Sequence, residues 1–314
     1  MRGAILYGPR DVRFEERAEP TIIEPTDAII RISATCVCGS DLWPYRGISP
    51  VAQPTPMGHE YCGIVEEVGR AVTSIKPGQF VIGSFFASDN TCPHCRAGYP
   101  SSCQHREFVT TAQAPVLRVP LADGTLVATP DVPSRDLIPS LLTLSEVMGT
   151  GWFAAEAANV KPGMTLVVVG DGAVGLLGVL SGRQIGAERI IAMSRHESRQ
   201  KLAREFGATE IVTERGDESV AHIKDMTNGI GADAVLECVG TQESMMPAGR
   251  VRWLRRRPSW SRTQWRGAVL QPHPSPWRPG AGAPLPTRVD RLGVEREDQP
   301  RQGLRFDPAP RPSG

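Results

Sequence analysis

Over 314 residues the sequence has almost no net charge, +1 with histidine neutral, which removes the electrostatic ground for a nucleic-acid or anionic-membrane partner. It lacks any apolar run near the roughly 18 residues that a membrane-spanning helix needs, and Met1–Pro9 has no apolar core of the kind a secretory leader carries. The expectation is therefore a cytoplasmic protein that acts on a small molecule. In that reducing compartment the 7 cysteines read as metal ligands or buried thiols rather than as a disulfide framework.

A more local absence divides the chain. From Pro247 to Gly314 there is no Lys, Ile, Asn, Tyr or Cys, while Arg, Pro and Gly dominate, and Trp253, Trp260, Trp265 and Trp277 all fall there. Runs such as Gln271-Pro272-His273-Pro274-Ser275-Pro276 cannot continue a helix or central strand, because each proline removes a donor and fixes φ. Residues 247–314 are thus expected to be a disordered Arg/Pro/Gly-rich tail with neither helix nor strand. A frameshift near codon 246 would account for this composition, since Arg, Pro, Gly, Ala and Trp are what a GC-rich gene yields out of frame. A basic tail that binds nucleic acid is the weaker alternative.

Upstream, two rhythms follow one another. Residues 3–7, 28–33, 62–68 and 79–86 are short runs rich in Ile, Val and Phe with Gly and Pro between them, as expected of a β-barrel-like domain. After residue 150 the pattern alternates, with strands expected at 165–170, 189–194, 210–214 and 233–239 and helices near 173–186, 197–206 and 217–227. Such alternation points to a parallel sheet with crossover helices.

Gly58-His59-Glu60-Tyr61-Cys62-Gly63, followed by Gly69 and Val72, resembles the zinc signature of the medium-chain alcohol dehydrogenases, and Cys36-Val37-Cys38-Gly39-Ser40-Asp41 resembles their first-ligand loop. The resemblance covers residues 1–246. It implies an α/β protein: a GroES-like β-barrel catalytic zinc domain over 1–147, then an incomplete Rossmann domain, a doubly wound parallel sheet, over 148–246. It also implies a catalytic Zn²⁺ held by Cys38 and His59. Three protein ligands with one open position are usual for such a metal. The third place falls in Leu144-Ser145-Glu146-Val147-Met148-Gly149-Thr150-Gly151, a Gly-rich turn by the resemblance, and Glu146 is the candidate. Glu60 is its rival, as a supporting group or an exchanging ligand. Asp41 can accept the second ring N–H of a metal-bound histidine or cap the next turn. Cys36, Cys62 and Cys238 read as small buried hydrophobes.

Cys92, Cys95 and Cys103 match three of the four cysteines of the family's structural zinc lobe, and Asp89 stands in the place of the first. A carboxylate is a harder donor than thiolate, so weaker zinc binding, or a zinc-free lobe of thiols, is the expectation. His94 reaches such a site only if the loop bends.

The cofactor segment is a β-branched strand, Thr165–Val169, running into Gly170-Asp171-Gly172-Ala173-Val174-Gly175 and then a helical stretch, the order of a dinucleotide fingerprint. The next strand ends at Ser194-Arg195-His196, without the acidic residue that holds the ribose hydroxyls of NAD. Ser194, Arg195 and Arg199 offer a hydroxyl and guanidinium groups to a 2′-phosphate, so NADP is expected in preference to NAD. The alternative is that Arg195, His196 and Arg199 form an ordinary solvated face.

Together these imply an oxidoreductase that passes a hydride between an alcohol and its aldehyde or ketone and NADP(H). Ser40 would start the proton relay; the family's downstream histidine is replaced by Trp43, leaving Tyr45 or water to complete it. Trp43 and Phe85 read either as pocket lining or as buried aromatics. The family is homo-oligomeric, and the strands that build its interface are missing after 246. The contrasting possibility is an inactive remnant that binds zinc and a nucleotide without catalysis. A zinc-free quinone reductase would leave Cys38, His59 and the cysteine lobe without purpose.

Overall fold

The computed structural model describes residues 1–51 and 54–252, and these form two compact units that divide between Leu142 and Thr143. The expectations for 253–314, a disordered tail above all, lie outside the described residues.

In the first unit, β1 (Arg2–Gly8), β2 (Asp11–Glu16) and β4 (Thr55–Pro56) form one antiparallel sheet, while β3 (Ala28–Thr35), β5 (Tyr61–Val68), β6 (Phe80–Gly83), β9 (Val116–Val119) and β10 (Leu126–Ala128) form another in the order β10-β6-β5-β3-β9. A short ribbon pairs β7 (Phe86–Ala87) with β8 (Glu107–Phe108). Alternate residues of the five-stranded sheet, among them Ile30, Tyr61, Val65, Val81 and Leu117, make one core. Buried among this packing, the Asp27 carboxylate receives both the Arg118 guanidinium, at 2.6 Å, and the backbone N–H groups of Ile23 and Glu24. The helical pieces of this unit are short: α1 (Leu42–Tyr45), α2 (Pro93–Arg96), α3 (Ala122–Thr125) and α4 (Ile138–Leu142).

The second unit is an α/β layer. Strands β11 (Thr165–Val169), β12 (Arg189–Met193), β13 (Glu210–Val212) and β14 (Ala234–Glu237) are parallel in the order β13-β12-β11-β14. Helices α5 (Val147–Ala157), α6 (Ala173–Ile185), α7 (Glu197–Phe206), α8 (Gly216–Met226) and α9 (Gln242–Val251) accompany them. Leu166 and Val168 point into one apolar cluster and Val167 and Val169 into another, so both faces of the central strand are buried, as a parallel sheet requires.

Three expectations need correction. The Gly-rich stretch at 144–151 is a helix from Val147 onward, because Gly151 lets α5 press on α6: a Cβ there would meet the Gly178 nitrogen at 2.8 Å. Residues after Pro247 also carry structure. Helix α9 runs through Pro247 to Val251, started by a Thr241–Ser244 capping box, and buries Pro247, Ala248 and Val251 against the sheet. That burial offsets the lost hydrogen bond and the ring clash of an interior proline, which together cost about 3 kcal/mol in an exposed helix. Arg252 then bridges Ala232 in parallel, where a further strand of such a sheet would begin. The strand expected over 79–86 is split into β6 and β7. Among the described residues no helix is long and apolar enough to cross a membrane.

Candidate metal and nucleotide sites

The first cluster grows from two loops of the first unit. Cys38 precedes a single 3-10 turn, Gly39–Asp41, and its backbone N–H is held by Asp41 Oδ2 at 2.9 Å. His59 and Glu60 lie just before β5. Gly58 at φ +98° fixes them there, since a Cβ at Gly58 would come within 2.5 Å of Gln113, whose neighbourhood is already paired to the loop through Ala112 N–H to Gly58 O and Gln113 N–H to Met57 O. Thr35 Oγ1 donates to the Glu60 carbonyl at 2.8 Å, tying the loop to β3.

These constraints bring the ligand atoms of Cys38, His59 and Glu60 within 4.8 Å of one another. Glu60 is only 2% exposed, so a buried carboxylate, a thiol and an imidazole converge at one point, a donor set that suits zinc. Asp41 Oδ1 lies 3.5 Å from His59 Nδ1, and the Phe85 ring stands edge-on to His59 with centroids 6.2 Å apart. Asp41 thus sits beside the histidine ring and closes the turn before it by accepting the Cys38 N–H, while its side chain makes no cap bond to the next turn, Leu42–Tyr45. Glu146 belongs to the second unit, at the N-cap of α5. Ser40 is exposed on the 3-10 turn beside Cys38, and Trp43 is 49% exposed, which removes the buried-aromatic reading for that residue. Cys36 and Cys62 pack in one apolar cluster and Cys238 against another, and burial pushes the Cys62 thiol up to about 11.

The second cluster lies between β7 and β8. Asp89, Cys92, Cys95 and Cys103 bring one ligand atom each within 4.8 Å of the others. Backbone N–H groups already point at the sulfurs: Cys95 N–H at Cys92 Sγ (3.5 Å), and Asp89 and His105 N–H at Cys103 Sγ (3.4 Å each). Burial opposes a thiolate at Cys92, but the N–H groups of Gln104 and Cys95 outweigh it and draw that thiol below its usual value, while burial and the Cys92 sulfur hold the Cys95 thiol above its own. Burial likewise opposes charge on Asp89, and the Cys92 N–H and the His105 ring reverse this, holding the carboxyl well below its usual range. N–H donors prearranged around the sulfurs suit a closed zinc lobe. His105, whose Nδ1 is 2.5 Å from Asp89 Oδ2, was not singled out by sequence reasoning, and only the folded loop brings the two together. His94 instead faces the Ser102 carbonyl at 2.7 Å.

The third site is the loop between β11 and α6. Gly170 turns at φ +111°, and a Cβ on Gly175 would lie 2.1 Å from the Gly170 carbonyl oxygen, so both positions need glycine. Gly172 is the N-cap of α6, with open space where a side chain would be, and Gly172 and Ala173 are exposed. A backbone this bare at a helix N-terminus suits a pyrophosphate. At the end of β12 the buried Ser194 donates from Oγ to Asp171 Oδ2 at 2.8 Å, and Arg199 Nη1 donates to Asp171 Oδ1 at 3.1 Å. Burial would raise the Asp171 pKa, and these two donors reverse it to below the ordinary value. Arg195 is exposed beside them.

Comparison with known proteins agrees with this architecture. Residues 24–140 match the family model of the alcohol dehydrogenase GroES-like domain, and residues 173–251 match that of the zinc-binding dehydrogenases. The chain is 34% identical over 257 residues to zinc-type alcohol dehydrogenase B of Aspergillus flavus, covering 78% of this chain and 59% of that protein's length. It is 34% identical over 261 residues to a medium chain reductase/dehydrogenase of Acremonium sp, covering 79% of this chain and 88% of the relative. Among solved structures, the alcohol dehydrogenase of Thermus sp. ATN1 superposes with a TM-score of 0.73 at 29% identity, over 83% of this chain and 80% of that one. A structure from Sinorhizobium meliloti 1021 bound to NADP superposes with a TM-score of 0.68 at 25% identity, over 80% of this chain and 73% of that one.

Proposed function

We propose, because the chain belongs to the zinc-binding alcohol dehydrogenase family, that it interconverts a small alcohol and its aldehyde or ketone by hydride exchange with NADP(H). The observation that carries the reading is the convergence of Cys38, His59 and Glu60 with Asp41 behind the histidine ring. Cys38 and His59 are the proposed catalytic-zinc ligands, Glu146 the third, and Glu60 the carboxylate that exchanges with it. Residues 1–147 would carry the metals, and 148–246, extended by α9 to Val251, the nucleotide.

Zinc bound here supplies Lewis acidity to the substrate oxygen, and the nicotinamide supplies or accepts the hydride. The chain's own residues do the rest. Asp41 fixes the tautomer and orientation of the His59 ring, so that its other nitrogen faces the metal position. Ser40, exposed beside Cys38, passes the substrate proton outward to Tyr45 or water. Phe85 packs on His59 and keeps water from that side of the ring. The bare backbone of Gly170, Gly172, Ala173, Val174 and Gly175 receives the pyrophosphate, and Ser194, Arg195 and Arg199 the 2′-phosphate. Asp89, Cys92, Cys95 and Cys103 hold a structural zinc. The same reading places the enzyme in the cytoplasm, where such thiolates stay reduced.

The test is metal content beside turnover. Wild type should carry zinc and oxidise NADPH with small aldehydes, and Cys38→Ser and His59→Ala should each lose one zinc and nearly all turnover while keeping the lobe zinc. Zinc-loaded, folded protein that turns over no alcohol or aldehyde would reduce the chain to a zinc-binding remnant.

A further inference from the structure

We infer that Asp171 sets the discrimination between NADP and NAD by acting as an internal counter-charge that the 2′-phosphate must displace. The inference rests on the cofactor reading above and concerns a residue of the first β–α turn, whereas discrimination in such folds is ordinarily read from the end of the second strand. That strand here ends in Ser194, with no carboxylate of its own. The fold supplies one by another route: Asp171 reaches across so that Oδ2 accepts from Ser194 Oγ (2.8 Å) and Oδ1 from Arg199 Nη1 (3.1 Å).

The consequences follow from charge and exposure. The Asp171 side chain is 16% exposed and Arg199 49%, so the carboxylate is the fixed member of the pair and the guanidinium the one that can swing. Ser194 is buried, its carbonyl accepts from Gln200 Nε2, and its hydroxyl donates to the same carboxylate. Two of the three groups that would greet a 2′-phosphate are therefore already engaged by an anion. NADP must break the Asp171–Arg199 pair and meet the Asp171 charge, whereas the ribose hydroxyls of NAD can donate to that carboxylate as they would to a strand-end acid. Arg195 stands outside this clamp and gives the phosphate a cation without competition.

The experiment titrates the full-length protein with NADPH and with NADH, by nucleotide fluorescence, for wild type, Asp171→Asn, Arg199→Gln and the double variant. Asparagine keeps the acceptor for Ser194 and removes the charge. The expected result is a rise of about tenfold in the NADPH-to-NADH affinity ratio for Asp171→Asn, with most of that gain absent from the double variant. If Asp171→Asn does not fold, Asp171→Ser carries the same expectation. A ratio unchanged because both nucleotides tighten equally would overturn the inference, since the carboxylate would then only repel the shared pyrophosphate; so would a gain that survives Arg199→Gln. The wild-type ratio judges the cofactor reading separately: preference for NADH removes that reading, while the shift on substitution still decides the role of Asp171. Folded wild type that binds neither nucleotide overturns both.

Discussion

Asp89 and His105 face each other with Nδ1 2.5 Å from Oδ2, and the other oxygen of Asp89 accepts the N–H groups of Thr91 at 2.8 Å and Cys92 at 3.0 Å. The one carboxylate among three thiols is thus held by three donors on its two oxygens. That arrangement offsets the weaker affinity of a hard oxygen for zinc by orienting it in advance.

His105→Ala should therefore weaken zinc retention in the lobe by about tenfold, measured by competition with a chromophoric chelator, while the other zinc stays. Asp89→Cys should retain zinc more tightly and restore tolerance to the loss of His105. Equal retention in wild type and His105→Ala would make the histidine a surface contact only.

The Asp27–Arg118 pair predicts a pH dependence of stability. Asp27 is fully buried; burial would raise its pKa, and the bonds from Arg118, Glu24 and Ile23 reverse that to below the ordinary value. A carboxyl with a folded pKa below its unfolded one stabilises above the unfolded value, about 3.9, and that stabilisation is lost as pH falls through the folded value. Denaturant titrations across acid pH should show wild type losing stability below about pH 4. Asp27→Asn should be flatter over the same window and, with the half-buried Arg118 guanidinium deprived of its counter-charge, about 2 kcal/mol less stable at neutral pH.

Much of this was legible in the sequence, and the reason differs by segment. Strands β11 and β12 and helices α6 and α7 follow from buried β-branched runs and glycine punctuation, because a parallel sheet buried on both faces needs continuous apolar stretches. Strand β2, Asp-Val-Arg-Phe-Glu-Glu, was missed because it is a largely exposed edge whose charged residues pair along its surface. Helix α5 was missed because Gly149, Thr150 and Gly151 read as a turn when α6 is not seen against them, and α9 because Pro247 masks a helix held by burial. The clustering of side chains announced by adjacent motifs, such as His59 beside Gly58 or the spaced cysteines, was legible. Asp89–His105 and Asp171–Arg199 were not, since each joins residues brought together only by the fold.

The fingerprint loop predicts a steric result. Gly175→Ala puts a methyl group 2.1 Å from the Gly170 carbonyl oxygen, so either the turn opens or α6 shifts. The variant should lose about 1–3 kcal/mol of stability in denaturant titration and bind NADPH at least tenfold more weakly. Ala173, exposed at the start of the same helix, should tolerate serine with neither effect.

The central claim is tested most directly by following reduced nicotinamide consumption with a panel of small aldehydes, on protein whose zinc has been quantified, before and after chelation and zinc readdition. Turnover should track the zinc bound through Cys38 and His59, be lost on chelation and return with zinc. Turnover that is indifferent to zinc, or its absence from folded, zinc-loaded protein, would contradict it.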